Sequence, residues 1–155
     1  MENCSVALAG DLPGAETFTF ADENGVSLSD VSKLDTMVTV VDAVNFLRDY
    51  DEAQTLQEAG ESLGEDDDRN VADLLVDQVE FADVILVSKT DLAESTDIER
   101  LTAILASLNT HARIIPIANG HIEIDSVLST GLFDFERAQQ APGWLKAMRG
   151  EHVPE

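Results

Sequence analysis

The sequence predicts an α/β fold in which helices flank an open parallel sheet, and two observations support that prediction. Three β-branched runs, at 36–41, 84–88 and 112–117, are apolar over nearly their whole length. Such runs are typical of strands that are covered on both faces of a parallel sheet. Helical patterns lie between the runs, and strands that alternate with helices imply right-handed βαβ crossovers.

The helices between the strands are predicted from apolar stripes with helical spacing. One stripe lies within 71–79 and another within 98–108. Thr96 and Glu99 fit a capping box, which predicts that the second of these helices begins near Thr96. A further helix is predicted directly after Asp42.

Composition and charge limit the functions that the chain can have. Its 155 residues make one domain-sized unit, and 9 basic residues against 31 acidic ones give a net charge of -22. A chain this acidic does not attract a phosphate backbone, so nucleic acid is not an expected partner.

The single cysteine, Cys4, excludes an internal disulfide, and no apolar run approaches the ~20 residues of a membrane span. The start lacks the basic region of a signal peptide, so we expect a cytoplasmic protein without membrane contact.

Polar residues follow each of the three predicted strands. Asp42 follows the first, residues 88–91 (Ser-Lys-Thr-Asp) end the second, and residues 118–120 (Ala-Asn-Gly) follow the third. In an open α/β sheet, ligands bind outside the carboxyl ends of the strands. These three loops are therefore predicted to meet at one ligand-binding edge.

The second loop, with the sequence SKTD, resembles the [NT]KxD base-recognition motif of GTP-binding domains. In such a motif the Asp91 carboxylate accepts two parallel hydrogen bonds, from N1–H and the exocyclic amine of guanine, a pair that adenine lacks. The alkyl stem of Lys89 can lie across the base while its ammonium stays in water. A backbone N–H of the third loop, that of Ala118, can donate to guanine O6. A lysine and an aspartate after a strand are also common in a solvated turn before a helix, so the motif alone leaves both interpretations open.

Three longer segments, in their order along the chain, resemble the CobW family of P-loop GTPases, relatives of the nickel-insertion GTPases of urease and hydrogenase maturation. They are LDTMVTVVDAVNFL at 34–47, DQVEFADVILVSKTDL at 77–92 and IIPIANG at 114–120. The resemblance implies a P-loop-type sheet and a GTP-binding protein of metal homeostasis or cofactor assembly, usually a metallochaperone for zinc or cobalt. It also implies GTP or GDP as the ligand and Mg²⁺ and Zn²⁺ as the metals.

At the matching positions, the resemblance assigns guanine recognition to Lys89 and Asp91. Ser88 stands where the family usually has asparagine, so an amide that could brace the neighbouring loop is replaced by a hydroxyl. We expect this replacement to weaken affinity rather than specificity.

The phosphate-binding half of such a domain is not found in the sequence. A P-loop needs G-x-x-x-x-G-K-[ST], but the three lysines follow Ser32, Ser88 and Leu145, so there is no Gly-Lys pair. The run at 10–17 has glycines but no lysine, and no strand is predicted before it. The family's Cys-x-Cys-Cys motif is absent, and the three histidines are isolated from one another. We therefore expect no catalytic residues and no metal ligands, weak or lost nucleotide binding, and no GTP hydrolysis by this chain alone.

These absences predict that residues 1–14 do not match the family and that 15–155 form the C-terminal half of a CobW-like GTPase domain. In a complete domain the P-loop strand lies beside the strand at 36–41. Without it, that strand is expected to have an unpaired apolar edge, which favours self-association or pairing with a protein partner. The second hypothesis is accordingly a non-catalytic interaction module that uses this edge. A receiver-like or flavodoxin-like domain is a third, but the clustered acidic pair of a receiver is not found.

Overall fold

Four parallel strands form an open sheet in the computed structural model, which describes residues 4–9, 15, 17–51 and 71–140. They are β1 (Cys4–Ala9), β2 (Ser32–Asp42), β3 (Val84–Ser88) and β4 (Arg113–Pro116). The strands lie in the order β1-β2-β3-β4, which is also their order along the chain. The predicted α/β fold with an open parallel sheet is confirmed.

The helices between and after the strands are short to medium in length. They are α1 (Leu28–Val31), α2 (46–51), α3 (Val71–Glu80), α4 (Ser95–Leu108) and α5 (Phe135–Gln140), with 3₁₀ turns at Thr17–Thr19 and Ile124–Ser126. The three helices predicted from the sequence correspond to α2, α3 and α4. In the described parts of the chain, no helix has both the length and the apolar character needed to cross a membrane.

Helix α4 begins two residues earlier than the predicted capping box requires. Glu94 is the N-cap, and its carbonyl oxygen accepts hydrogen bonds from the N–H groups of Asp97 and Ile98, both at 3.1 Å. Thr96 is therefore already inside the first turn, and the capping box that it was predicted to form with Glu99 is wrong. The Glu94 backbone starts the helix without a side-chain cap.

The chain divides into two compact units, with boundaries between Val38 and Thr39 and between Ile122 and Glu123. Strand β3 lies in the core of the second unit, where residues 84–87 are all at most 8% exposed. Burial on both faces explains the continuous apolar run, and each such side chain contributes roughly 1.5–3 kcal/mol. The residues that pack around β3 come from β2, α2, α3 and α4: Val41, Phe46, Leu47, Val79, Leu101 and Leu105.

Strand β1 corrects two expectations from the sequence. A strand does precede the glycine run at 10–17, and it pairs in parallel with β2 from Cys4 opposite Ser32 to Ala9 opposite Val38. Residues 36–38 are buried, at 0–7% exposed, so the predicted unpaired edge over 36–41 is wrong in this part. The physical reason is that parallel pairing needs only backbone donors and acceptors, which the small residues of β1 also supply.

In the first unit, the buried carboxylate of Asp35 holds the segment at 130–133 against β2. It accepts hydrogen bonds from the N–H groups of Thr130 (2.7 Å) and Gly131 (2.9 Å) and from the Thr36 hydroxyl (2.7 Å). The Asp35 carbonyl oxygen accepts another from Phe133 N–H at 2.9 Å. Burial, the largest influence, raises the pKa of Asp35, but these hydrogen bonds together outweigh it and leave the pKa below its usual range.

Candidate functional site

The loop after β3 turns sharply at its second residue. Strand β3 ends at Ser88, and Lys89 adopts a φ of 59°, in the left-handed region that residues with a side chain seldom occupy. The turn is closed by a hydrogen bond from Leu92 N–H to the Lys89 carbonyl oxygen at 3.0 Å. A strained residue directly after a buried strand is a common feature of ligand-binding loops.

The loops after β3 and β4 are hydrogen-bonded to each other. The N–H and the hydroxyl of Thr90 both donate to the Ile117 carbonyl oxygen, at 3.3 and 3.0 Å. Ile117 N–H in turn donates to the Val87 carbonyl oxygen at 2.8 Å. Residues 88–91 and 117–120 therefore lie side by side at the carboxyl edge of the sheet.

The loop after β4 leaves one backbone donor available. The Ala118 carbonyl oxygen accepts a hydrogen bond from His121 N–H at 3.1 Å, which closes a turn through Asn119 (φ 53°) and Gly120 (φ 70°). The N–H of Ala118 has no acceptor within the ranges that the structure describes, and Ala118 is exposed. A ligand oxygen can therefore accept a hydrogen bond at this point.

Asp42, at the end of β2, holds the side chain of Lys89. The Lys89 ammonium donates to Asp42 Oδ2 at 2.6 Å, although the two residues are 47 positions apart. Asp42 Oδ1 accepts from the N–H groups of Val44 (2.9 Å) and Asn45 (3.2 Å), and the Asn45 side-chain amide donates to Oδ2 at 2.9 Å. The sequence placed Asp42 at this edge but indicated no role for it. The available signal was an aspartate at a strand end that is followed three residues later by an asparagine.

The Asp42 carboxyl is ionised at neutral pH. The hydrogen bond from Lys89 is the main cause that lowers its pKa to about 2, while partial burial acts in the opposite direction. The hydrogen bonds from Asn45 and Val44 lower the pKa further. The carboxylate that accepts the 2.6 Å hydrogen bond is therefore the charged form.

The side chains of Ser88 and Asp91 differ in whether they already form hydrogen bonds within the protein. The Ser88 hydroxyl donates to the Val41 carbonyl oxygen at 3.1 Å, and its own carbonyl oxygen accepts from Ala43 N–H at 3.0 Å. Ser88 thus connects β3 to the end of β2 rather than to the loop after β4. Asp91 is exposed, and its carboxylate accepts no hydrogen bond from any residue that the structure describes. An exposed carboxylate of this kind can accept two hydrogen bonds from a planar ligand.

The described residues do not offer a ligand set for the Mg²⁺ or Zn²⁺ that the family resemblance implies. No group of three His, Cys, Asp or Glu side chains comes together in the parts of the chain that are described. His121 contacts its own turn, with Nδ1 3.1 Å from the Asn119 carbonyl oxygen, and His152 lies outside the described residues. The groups that these loops offer to a ligand are the exposed Asp91 carboxylate, the Lys89 stem and the Ala118 N–H, which suit hydrogen bonding and stacking.

Comparisons with known proteins identify several that are similar to this chain. The sequence model of the CobW/HypB/UreG nucleotide-binding domain matches residues 8–116. The zinc-regulated GTPase metalloprotein activator 1 of Dictyostelium discoideum is 41% identical over 152 residues, which are 97% of this chain and 32% of that protein. The chain thus spans about a third of the length of this curated relative.

Solved structures give a consistent result. The crystal structure of the zinc-bound YjiA GTPase from E. coli has 28% sequence identity and a TM-score of 0.52, and the similarity covers 79% of this chain and 30% of that one. A zinc-bound triple mutant of the same GTPase has 29% identity and the same TM-score. Ser88, Lys89 and Asp91 lie within the range matched by the family, and Ala118 lies two residues beyond its end.

Proposed function

The chain belongs to the CobW/HypB/UreG family of nucleotide-binding domains, and from that premise we propose that the loops after β3 and β4 select a guanine base. Asp91 accepts hydrogen bonds from N1–H and the exocyclic amine, the Lys89 stem covers one face of the base, and the Ala118 N–H donates to O6. Ser88, at the end of β3, contributes by connecting that strand to the end of β2. The ligand is a guanine nucleotide, GTP or GDP.

The observation that carries this proposal is the pair of hydrogen bonds from Thr90 to the Ile117 carbonyl oxygen. These bonds hold the loop that contains Asp91 next to the loop that contains Ala118. Guanine has its two donors and its O6 acceptor on one edge, so its recognition requires an acceptor and a donor on adjacent loops. The free Asp91 carboxylate and the available Ala118 N–H meet that requirement.

Discrimination against adenine follows from the same groups. Adenine has no N1–H and carries an amine where guanine has O6, so it leaves the Asp91 carboxylate and the Ala118 N–H without partners. Each polar group left unpaired in a closed site costs about 1–3 kcal/mol. We therefore expect at least a tenfold preference for guanine over adenine nucleotides.

Phosphate binding and hydrolysis are not part of the proposal for this chain alone. The sequence contains no G-x-x-x-x-G-K-[ST] motif, so the charge stabilisation that phosphoryl transfer needs has no source in it. We propose that these residues are the base-recognising part of a GTPase domain. For the whole protein, we propose a role in metal homeostasis, on the basis of the curated relative that is named a zinc-regulated GTPase metalloprotein activator.

The test is calorimetric titration of the chain with GDP, GTP and ADP. The expected result is weak binding of GDP and GTP, ADP binding weaker by at least a factor of about ten, and no measurable GTP hydrolysis. Equal affinities for GDP and ADP would contradict base selection. Sub-micromolar binding of GDP would instead contradict the absence of a phosphate-binding group.

The alternative function, a non-catalytic interaction module, depended on an unpaired edge along β2. Strand β1 pairs with residues 32–38 of that edge, so the observation that favoured the alternative no longer holds there. Co-purification of a protein partner in equal amount remains the measurement that would favour it.

A further inference from the structure

We propose that Asp42 is a positioning residue for guanine recognition, which holds the Lys89 ammonium so that the alkyl stem lies ready to cover the base. The inference deepens the proposed function and rests on it. It assigns to Asp42 a role that acts through Lys89 and not through direct contact with the base.

Lys89 is held at both ends of its side chain. At the backbone end, the turn with φ 59° is closed by the hydrogen bond from Leu92 N–H. At the other end, the ammonium is 2.6 Å from Asp42 Oδ2. A lysine side chain that makes no contact with the protein must be ordered when a ligand binds, and that ordering reduces affinity. With its ammonium paired to Asp42, the stem of Lys89 lies between two fixed points.

Asp42 can act as a fixed point because it is itself held by three other donors. Oδ1 accepts from two backbone N–H groups in the turn before α2, those of Val44 and Asn45, and Oδ2 accepts from the Asn45 amide. The carboxyl has a pKa of about 2, chiefly because of the hydrogen bond from Lys89, so it remains charged at any pH at which the protein would be assayed. The position of the ammonium is therefore set by the backbone at the end of β2.

A second interpretation is that Lys89 and Asp42 form an ordinary surface ion pair. The two interpretations predict opposite effects on ligand affinity when the carboxylate is removed. The side chains of Lys89 and Asp42 are 51% and 29% exposed, and pairs of that exposure contribute little to stability. In a chain with a net charge of -22, removal of a carboxylate near an anionic ligand should by itself increase affinity. The positioning role predicts the opposite, a loss of affinity.

The variant Asp42→Asn removes the acceptor for the Lys89 ammonium, together with the hydrogen bond that the Asn45 amide donates to the same oxygen. Its remaining oxygen can still accept hydrogen bonds from the N–H groups of Val44 and Asn45, while the atom that faces Lys89 becomes an amide donor. We expect the affinity for GDP, measured by calorimetry, to fall about fivefold to tenfold. The ratio of GDP to ADP affinity should stay unchanged, because Asp91, which selects the base, is not altered.

Asp51→Asn is the matched control. Asp51 accepts two hydrogen bonds from Arg100, at 2.7 and 3.0 Å, in the same unit of the chain. This variant therefore breaks another long-range ion pair and removes the same charge, but it does not involve Lys89. Its affinity for GDP should be unchanged or slightly higher.

A double variant tests whether Asp42 acts through Lys89. Lys89→Met keeps an unbranched apolar stem but removes the ammonium. In that background, Asp42→Asn should produce no further loss of GDP affinity. A further loss of fivefold or more would contradict a role that depends on the ammonium.

A labelling measurement needs no variant and no nucleotide. When the unaltered chain is treated with an amine-acetylating reagent, Lys89 should react more slowly than the exposed Lys33, because its ammonium is engaged with Asp42. Equal rates would overturn the inference even if Asp42→Asn failed to fold.

If the unaltered chain binds GDP and Asp42→Asn binds it as well or better, this inference alone is overturned. If the unaltered chain binds no guanine nucleotide, the proposed function and this inference fail together.

Discussion

Single residues at the carboxyl edge of the sheet differ in whether their hydrogen-bonding capacity is already used. The Lys89 ammonium is engaged with Asp42, and the Ser88 hydroxyl with Val41. The Asp91 carboxylate, by contrast, has no donor within the described part of the chain. A ligand that donates to Asp91 therefore gains hydrogen bonds without first displacing a protein partner, so under the proposed function the selected base should depend on Asp91.

Asp91→Asn should change the preferred base from guanine to xanthine. Asparagine offers one acceptor for N1–H and one N–H donor, and xanthine has a carbonyl oxygen where guanine has its exocyclic amine. We expect affinity for GDP to fall by about tenfold or more and affinity for xanthosine diphosphate to rise above that for GDP. Competition calorimetry with the two nucleotides measures the change. Parallel losses for both would indicate that Asp91 does not face the base edge.

The location of these residues could be predicted from the sequence, but their contacts could not. Ser88, Lys89 and Asp91 follow a recognisable buried strand, so their position at the sheet edge follows from strand order alone. The Asp42–Lys89 contact joins residues 47 positions apart and depends on the rotamer of a long side chain. No local pattern contains that information.

Asp35 gives a prediction about stability. Asp35→Asn leaves only one acceptor oxygen for the N–H groups of Thr130 and Gly131, so one donor of these partly buried hydrogen bonds loses its partner. We expect the free energy of unfolding to fall by about 1–3 kcal/mol, measured by urea denaturation at neutral pH. Asp125→Asn, at an exposed position, should change it by less than about 0.5 kcal/mol.

The same variant should reveal a pH dependence. Because the pKa of Asp35 is lowered in the folded state from its ordinary value of 3.8, its contribution to stability is complete above that value. The contribution is lost as the pH falls through the lower folded pKa. The difference between the unaltered chain and Asp35→Asn should therefore be constant near neutral pH and shrink below pH 3.8. A difference that grew on acidification would contradict the hydrogen-bonded, ionised state of Asp35.

Secondary-structure elements were predictable in proportion to how much their own side chains determine them. Strands β2, β3 and β4 contain β-branched apolar runs, and all three were predicted. Strand β1 was missed because its sequence, CSVALA, is short and composed partly of small residues, and its pairing with β2 is a tertiary contact. The start of α4 was misplaced for a related reason, since a backbone carbonyl begins that helix and not the polar side chain that the capping pattern suggested.

The hydrogen bonds between the loops after β3 and β4 give a prediction at this scale. Thr90→Val keeps the branched shape but removes the hydroxyl that donates to the Ile117 carbonyl oxygen at 3.0 Å. We expect a loss of about 1 kcal/mol in stability and a threefold to fivefold loss of GDP affinity, because the two loops are held together less firmly. Thr102→Val is the control, since its hydroxyl donates only within α4, to the Ile98 carbonyl oxygen. Unchanged GDP affinity in Thr90→Val would contradict a role for this contact in the site.

For the whole molecule, the dominant physical property is its charge. A net charge of -22 repels a nucleoside diphosphate, and the sequence lacks the Gly-Lys pair with which a P-loop compensates for such repulsion. Recognition of the base and repulsion of the phosphates are therefore expected to act in opposite directions on the same ligand. Salt should separate these two contributions, since it screens only the second.

Affinity for GDP should accordingly increase when salt is raised from about 0.01 M to about 0.15 M, over which the Debye length falls from about 30 Å to about 8 Å. Guanosine, which has no phosphate, should bind about equally at both salt concentrations and at least as tightly as GDP at the lower one. Calorimetry with the two ligands provides the comparison. A GDP affinity that decreases with salt would reveal a cationic phosphate site in the chain.

The burial of β3 also determines how long the loop at 88–91 keeps its shape. Residues 84–87 are all at most 8% exposed, and their neighbours come from β2 and three helices of the second unit. Amide hydrogens in such a strand exchange with solvent only when the surrounding unit opens as a whole. The loop at 88–91 starts from the last residue of that strand, so its anchor should persist through local openings elsewhere in the unit. Loss of the loop's geometry and loss of the core of the second unit should therefore occur in a single cooperative event.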